Sequence, residues 1–141
     1  MSIGFTPYFS FDGHAREAME FYQKIFGGHL ILRTFAQYDV AHGDDGERIM
    51  HAQLITDTGF TVMGADSLPS QGHPAVPNGR ISLSGDDVER LRHYFDQLAE
   101  GGQVITALTT QQWGDLFGTL VDRFGNTWMV TIAVPQDERV S

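Results

Sequence analysis

The chain is expected to fold as an α+β protein of two tandem β-α-β-β-β modules, and three recurrences in its 141 residues predict this. Ala15, Ala18, Phe21, Tyr22 and Ile25 return 73 residues later as Val88, Leu91, Tyr94, Phe95 and Leu98, each set at the i, i+3, i+4, i+7 spacing that lines one face of a helix. Each stripe runs into a glycine pair, Gly27-Gly28 and Gly101-Gly102, at an offset of 74. Glycine just past the last apolar residue is a helix stop, since it takes left-handed conformations without a Cβ clash. Last, Gly59–Met63 (GFTVM) lines up with Gly125–Met129 (GNTWM) at an offset of 66, each behind an aspartate, Asp57 and Asp122. Helix stripe, glycine pair and strand-turn-strand recurring in order indicate a duplicated module.

The elements follow in sequence. Ile3 to Phe11 alternates Phe5, Pro7, Phe9 and Phe11 with Gly4, Thr6, Tyr8 and Ser10, a strand pattern in which Pro7 marks an edge or a bulge. Asp12 is a candidate N-cap for the first helix. Strands are then expected at His29 to Ala36, Arg48 to Thr56 and Phe60 to Ala65, separated by the Gly-rich acidic loop His42 to Glu47 and the turn Asp57-Thr58-Gly59. The linker lies within residues 67–78, chiefly Pro69 to Asn78. The second module repeats the order: Arg80 to Ser84, a helix from Asp86 to Glu100 that Ser84 and Asp87 open with capping-box spacing, then Gln103 to Thr110, Trp113 to Asp122 and Thr127 to Val134. The reading is one domain over residues 1–141, with module one at about 3–66 and module two at about 79–135.

Composition bounds the partners. The net charge of −9 and the absence of any basic run argue against nucleic acid and anionic membrane, both of which bind through positive patches. There is no cysteine, hence no disulfide, thiol nucleophile or thiolate metal site. Met1 to Phe11 lacks the basic-then-apolar pattern of a secretory signal, and no apolar run approaches the roughly 18 residues of a membrane span, so a cytoplasmic location is expected. No Ser sits in a G-x-S-x-G setting, and Asp44-Asp45 and Asp86-Asp87 fall in a turn and at a helix start, where acidic residues are ordinary.

A duplicated β-α-β-β-β module of this size resembles the vicinal oxygen chelate superfamily of glyoxalase I, bleomycin-resistance proteins and extradiol dioxygenases. The phrases Gly13 to Ala18 (GHAREA), Phe21-Tyr22, Phe26-Gly27-Gly28, His51 to Leu54 (HAQL), Trp113-Gly114, Phe117-Gly118 and Asp122 to Val130 are similar to its PhnB-like branch. Members of that branch are often labelled 3-demethylubiquinone 3-methyltransferases. This chain has no GxGxxG or comparable strand-to-helix turn to cradle a nucleotide-like cofactor, which argues against methyl transfer. The resemblance implies curled mixed sheets forming a cup, a homodimer, and a divalent metal held by one residue on each module's first strand and one on its last. Carried across, those positions fall on Pro7, Met63, Arg80 and Met129. Proline, arginine and thioether sulfur do not satisfy a hard or borderline cation, so no metal and no other cofactor is expected.

Of the six histidines, His14, His29, His42, His73 and His93 have poor ligand spacing. His51 differs, being inside a strand with Gln53 on the same face. It is a candidate pocket residue or general base, against the ordinary alternative of a half-buried structural histidine, and Asp66 is its candidate partner across adjacent strands. Phe9, Gln53, Met63, Asp66, Arg80, Trp113, Phe117, Trp128 and Met129 complete the candidate ligand site: an apolar cup with few polar groups, in which an inward Arg80 would require an anionic ligand. The expected function is metal-free binding of a small molecule, with an enzyme of displaced metal ligands or a His51 base as the alternative.

Overall fold

The structure, a computed structural model, describes residues 3–134. Pro135, assigned to module two, lies outside the described residues. The chain divides between Asn78 and Gly79 into two compact units, each built β-α-β-β-β around one mixed four-stranded sheet.

In the first unit β1 (Tyr8–Phe11), α1 (Ala15–Phe26), β2 (His29–Thr34), β3 (Ile49–Ile55) and β4 (Thr61–Asp66) form a sheet of order β1-β4-β3-β2. β1 runs parallel to β4, and the other pairs are antiparallel. β4 shows the logic of the whole sheet: Val62, Gly64 and Asp66 are buried, while Thr61, Met63 and Ala65 are only partly so. The buried face carries Phe9, Phe11, Ala52, Leu54 and Val62 against Ala15, Ala18, Met19, Tyr22, Ile25 and Phe26 of α1. Each large side chain so buried contributes roughly 1.5–3 kcal/mol.

The expected strand Ile3 to Phe11 is shorter than its alternation suggested. Pro7 has no N–H to give a ladder, so β1 starts at Tyr8, and Ile3 and Phe5 stay exposed. β1 is the sheet edge, as proline implied, and its rim is closed by a side chain. Asn78 accepts from the Ser10 N–H at 2.7 Å and donates to the Ser10 carbonyl at 3.0 Å, pairing that residue as a neighbouring strand would. The acidic loop His42 to Glu47 contains a short helix, α2 (Gly43–Glu47), with Asp44 and Asp45 in the first turn where the helix dipole favours them.

The cap of α1 corrects the sequence reading. His14, not Asp12, occupies the N-cap and makes no side-chain capping bond. The role passes to Asp66 at the end of β4, whose Oδ1 accepts from the N–H groups of Gly13 and Ala15, each at 2.9 Å, while Oδ2 accepts from Ile49 at 2.8 Å. Asp12 instead accepts from the Arg48 guanidinium at 3.1 Å and the Ser67 hydroxyl at 3.0 Å.

In the second unit β5 (Ile81–Gly85), α3 (Val88–Ala99), β6 (Gln103–Thr110), β7 (Leu116–Val121) and β8 (Thr127–Ile132) give the order β5-β8-β7-β6. Here Asp87 itself is the N-cap, accepting from the Arg90 N–H at 3.1 Å, and Ser84 lies within β5, so the expected Ser84 capping box does not form. Trp113 precedes β7 rather than opening it, in a turn closed from Gly114 N–H to the Gln111 carbonyl.

The glycine pairs have a common cause. A Cβ at Gly28 would meet the Ile55 carbonyl oxygen, and one at Gly102 the Val121 carbonyl oxygen, so in both units the chain leaving the helix presses on the end of the strand that pairs with the one it enters. The hairpin residue equivalent to Asp122 is Thr56 rather than Asp57, because Thr56 accepts from Gly59 as Asp122 does from Gly125. Asp122 Oδ1 accepts from the Phe124 and Asn126 N–H groups, and Oδ2 from the Trp128 indole at 2.9 Å.

Candidate functional site

The chemistry of the first unit gathers on the sheet face turned away from α1. Tyr8 pairs with Met63, Met63 with Gln53, Gln53 with Ile31, and His51 with Arg33, so strand alternation brings these side chains to one surface. Tyr8 and His51 stand on strands separated by β4. They meet across it where Ala65 presents only a methyl group: the phenol oxygen is 2.9 Å from His51 Nδ1, with ring centroids 5.7 Å apart at 30°. Partial burial pushes the Tyr8 phenol up from its ordinary value, keeping it protonated. A phenol O–H is the better donor and an imidazole nitrogen the better acceptor, and with Tyr8 donating to Nδ1 the ring's N–H stands at Nε2. Beside this pair, β3 leaves Met50 unpaired at a register shift, and Met50 packs against the small cluster of Phe35, Ala41 and Leu68.

The other expected site residues scatter. Phe9, 1% exposed and packed on Tyr22, is in the core on the helix side of its sheet, so it does not line a ligand face. Trp128 is likewise core, 1% exposed and bonded to Asp122. Asp66 cannot partner His51, because it lies on the opposite face with its oxygens committed to backbone N–H groups. In the second unit Phe117 and Met129 are partly exposed on the face away from α3, Trp113 is exposed in the turn before β7, and Arg80 is exposed just ahead of β5. Three members of the first-unit face, Tyr8, Ile31 and Arg33, are not among the expected residues. Their signal was parity: Tyr8 alternates with the buried Phe9, and Arg33 is opposite His51.

Register also revises the metal positions. Within the first unit the residue sharing a face and level with Met63 is Tyr8, not Pro7, and within the second the partner of Met129 is Ser82, not Arg80. Neither the phenol and thioether of the first unit nor the hydroxyl and thioether of the second gives a donor set for a hard or borderline divalent ion. Among the described residues there is no group of three or more His, Asp or Glu side chains that could hold one.

A cleft of about 310 Å³ also opens in the first unit, lined by Gly13, Arg16, Glu17, Asp44, Glu47, Arg48, Ile49 and Asp66. Its inner polar groups are committed to the fold. Arg48 donates to Asp12 and, at 2.9 Å, to the Ser67 carbonyl, while Asp66 caps α1. The Arg48 hydrogen bond, then that of Ser67, holds the Asp12 carboxyl below the usual carboxylate range. The cleft is a structural seam between α1 and the sheet.

Known proteins share this architecture. Residues 4–130 match the Glyoxalase/Bleomycin resistance protein/Dioxygenase superfamily. Protein YjdN of Escherichia coli K12 is 28% identical, with 93% of this chain and 96% of YjdN aligned. Protein PA1353 from Pseudomonas aeruginosa is 33% identical with a TM-score of 0.81, covering 95% of this chain and 100% of that one. A PhnB protein from Bacillus cereus is 25% identical with a TM-score of 0.73, covering 93% of this chain and 100% of its own. With the duplicated β-α-β-β-β topology, the chain therefore belongs to the glyoxalase/bleomycin resistance protein/dioxygenase superfamily.

Proposed function

We propose that this protein binds a small organic molecule on the first sheet's face away from α1, without the divalent metal its superfamily commonly uses. The observation that carries the reading is the Tyr8–His51 hydrogen bond at 2.9 Å, which orients an imidazole on a partly exposed face instead of burying it. Polar groups fixed beside apolar side chains such as Met63 and Ile31 are the usual make-up of a small-ligand site. General-base catalysis through Nε2 needs the opposite tautomer from the one the Tyr8 donor favours, so binding is preferred over proton abstraction. A homodimer is supported by β6, an edge strand with Val104 44% and Ile105 58% exposed. A cytoplasmic location is part of the same proposal.

The test is metal analysis of protein purified without chelator or metal-affinity resin, with thermal shifts on adding manganese, iron(II), nickel and zinc. The expected result is no stoichiometric metal and no stabilisation. One metal per chain with a large upward shift overturns the reading, because a ligand that binds only the folded state must stabilise it. Sedimentation of the same sample reads the oligomeric state.

A further inference from the structure

We infer that this face takes the carboxylate of a small organic acid, paired with Arg33 and held by the Nε2–H of His51, with Tyr8 as the positioning residue. The inference rests on the binding face proposed above and adds the chemical class of its ligand.

Charge distribution is the first support. The chain carries 18 Asp and Glu against 9 Lys and Arg, yet no carboxylate occupies the face positions of β1 to β4 away from α1. Arg33 stands there directly opposite His51 and has no ion-pair partner among the described residues. In a protein this acidic, a sheet face with a guanidinium, an imidazole and no acid attracts an anion.

Donor geometry is the second. With Nδ1 accepting from Tyr8, the imidazole ring offers Nε2–H as a donor. The guanidinium next to it presents several N–H groups in a plane, which matches the two oxygens of a carboxylate. Gln53, one alternation along β3, adds an amide, and Met63 and Ile31 flank it with apolar surface for an organic body.

The duplicate supplies the third. In the second sheet, the register places Thr109 opposite Phe117 where the first has Arg33 opposite His51, and Ser82 beside Met129 where the first has Tyr8 beside Met63. The second sheet thus keeps the strand order and the pairing at these positions without Tyr8, Arg33 and His51, although β6 reaches Thr109 through two register shifts that β2 does not have before Arg33.

The experiment titrates ¹⁵N-labelled full-length protein with benzoate and, separately, with its neutral relative benzamide, following amide shifts. Benzoate is expected to bind saturably with shifts centred on Arg33, His51, Gln53 and Met63, and Arg33→Gln to weaken it about tenfold while leaving benzamide unchanged. Long-range ¹H–¹⁵N spectra of the His51 ring should show Nδ1 as the unprotonated nitrogen, and Tyr8→Phe should mix the tautomers. Benzamide binding this face as well as benzoate does, or Arg33→Gln leaving benzoate unchanged, overturns the carboxylate assignment and leaves the binding face standing. Failure of both probes to shift these residues overturns the face itself.

Discussion

Replacing Asp66 should cost far more stability than replacing its neighbour in the same region, Asp12, although a strand-end aspartate is usually a surface residue. Its side chain accepts three backbone N–H groups, from Gly13, Ala15 and Ile49, and the residue is 6% exposed. Asp66→Ala strands the Ala15 and Ile49 donors in buried surroundings and leaves Gly13 to the adjoining cleft. At roughly 1–3 kcal/mol per buried unpaired group, with some water entering the cleft, the loss should be about 3 kcal/mol. For a chain of this size that lowers the Tm by about 10 °C. Asp66→Asn should lose about half as much, since one amide oxygen can still serve Gly13 and Ala15 while the NH₂ faces the Ile49 N–H. Asp12→Ala, whose side chain is 65% exposed, should change stability least of the three. Urea denaturation followed by far-UV circular dichroism measures all three. A loss below about 1 kcal/mol for Asp66→Ala, or Asn behaving as wild type, would refute the claim that this carboxylate caps α1 from across the sheet.

Three further outcomes are expected. Gly28→Ala should prevent folding or destabilise severely, because the new Cβ meets the Ile55 carbonyl at a φ of +102°; Gly59→Ala, at a φ of +101° with open space around it, should cost about 1 kcal/mol in the same urea assay. Trp128→Phe removes the indole donor to Asp122 and should cost about 2 kcal/mol. It also leaves Trp113, 60% exposed, as the only tryptophan, so the emission maximum should move to the red. The Asp12 carboxyl is held low in the folded state, so its stabilising effect is present above the unfolded carboxylate value and is lost as pH falls through the lowered folded one. The urea midpoints of wild type and Asp12→Asn should therefore converge on acidification below pH ~4.

The parts of the fold legible in the sequence are those set by local periodicity. The apolar stripes of α1 and α3 and their glycine stops are properties of neighbouring residues, and both helices lie where the stripes put them. What was not legible depends on contacts far apart in the chain. Asp66 takes the capping role expected of Asp12 because capping of α1 comes from 51 residues away, beyond any local cap motif. Phe9 and Trp128 read equally well as pocket or core, since an aromatic in an alternating strand gives its parity but not which side the helix covers. Tyr8 stands one residue from the expected position at Pro7, and one residue of slip in a strand moves a side chain to the other face.

On the helix side, corresponding positions keep their apolar character: Ala52 and Gly118, Leu54 and Leu120, Val62 and Trp128 all pack under a helix, where a polar group would need a partner. Asp66 is the exception, standing where the second unit has Ile132, and it is polar because α1 lacks a local cap that α3 has in Asp87. On the opposite side no such packing rule acts. There the two units diverge, Tyr8, Arg33 and His51 against Ser82, Thr109 and Phe117, while the methionine pair and the threonines Thr61 and Thr127 are kept. Since the strand order and pairing hold with either set, the oriented imidazole of the first unit, and its Arg33 guanidinium without an ion-pair partner among the described residues, call for a reason outside folding, and an acceptor-bearing ligand supplies one.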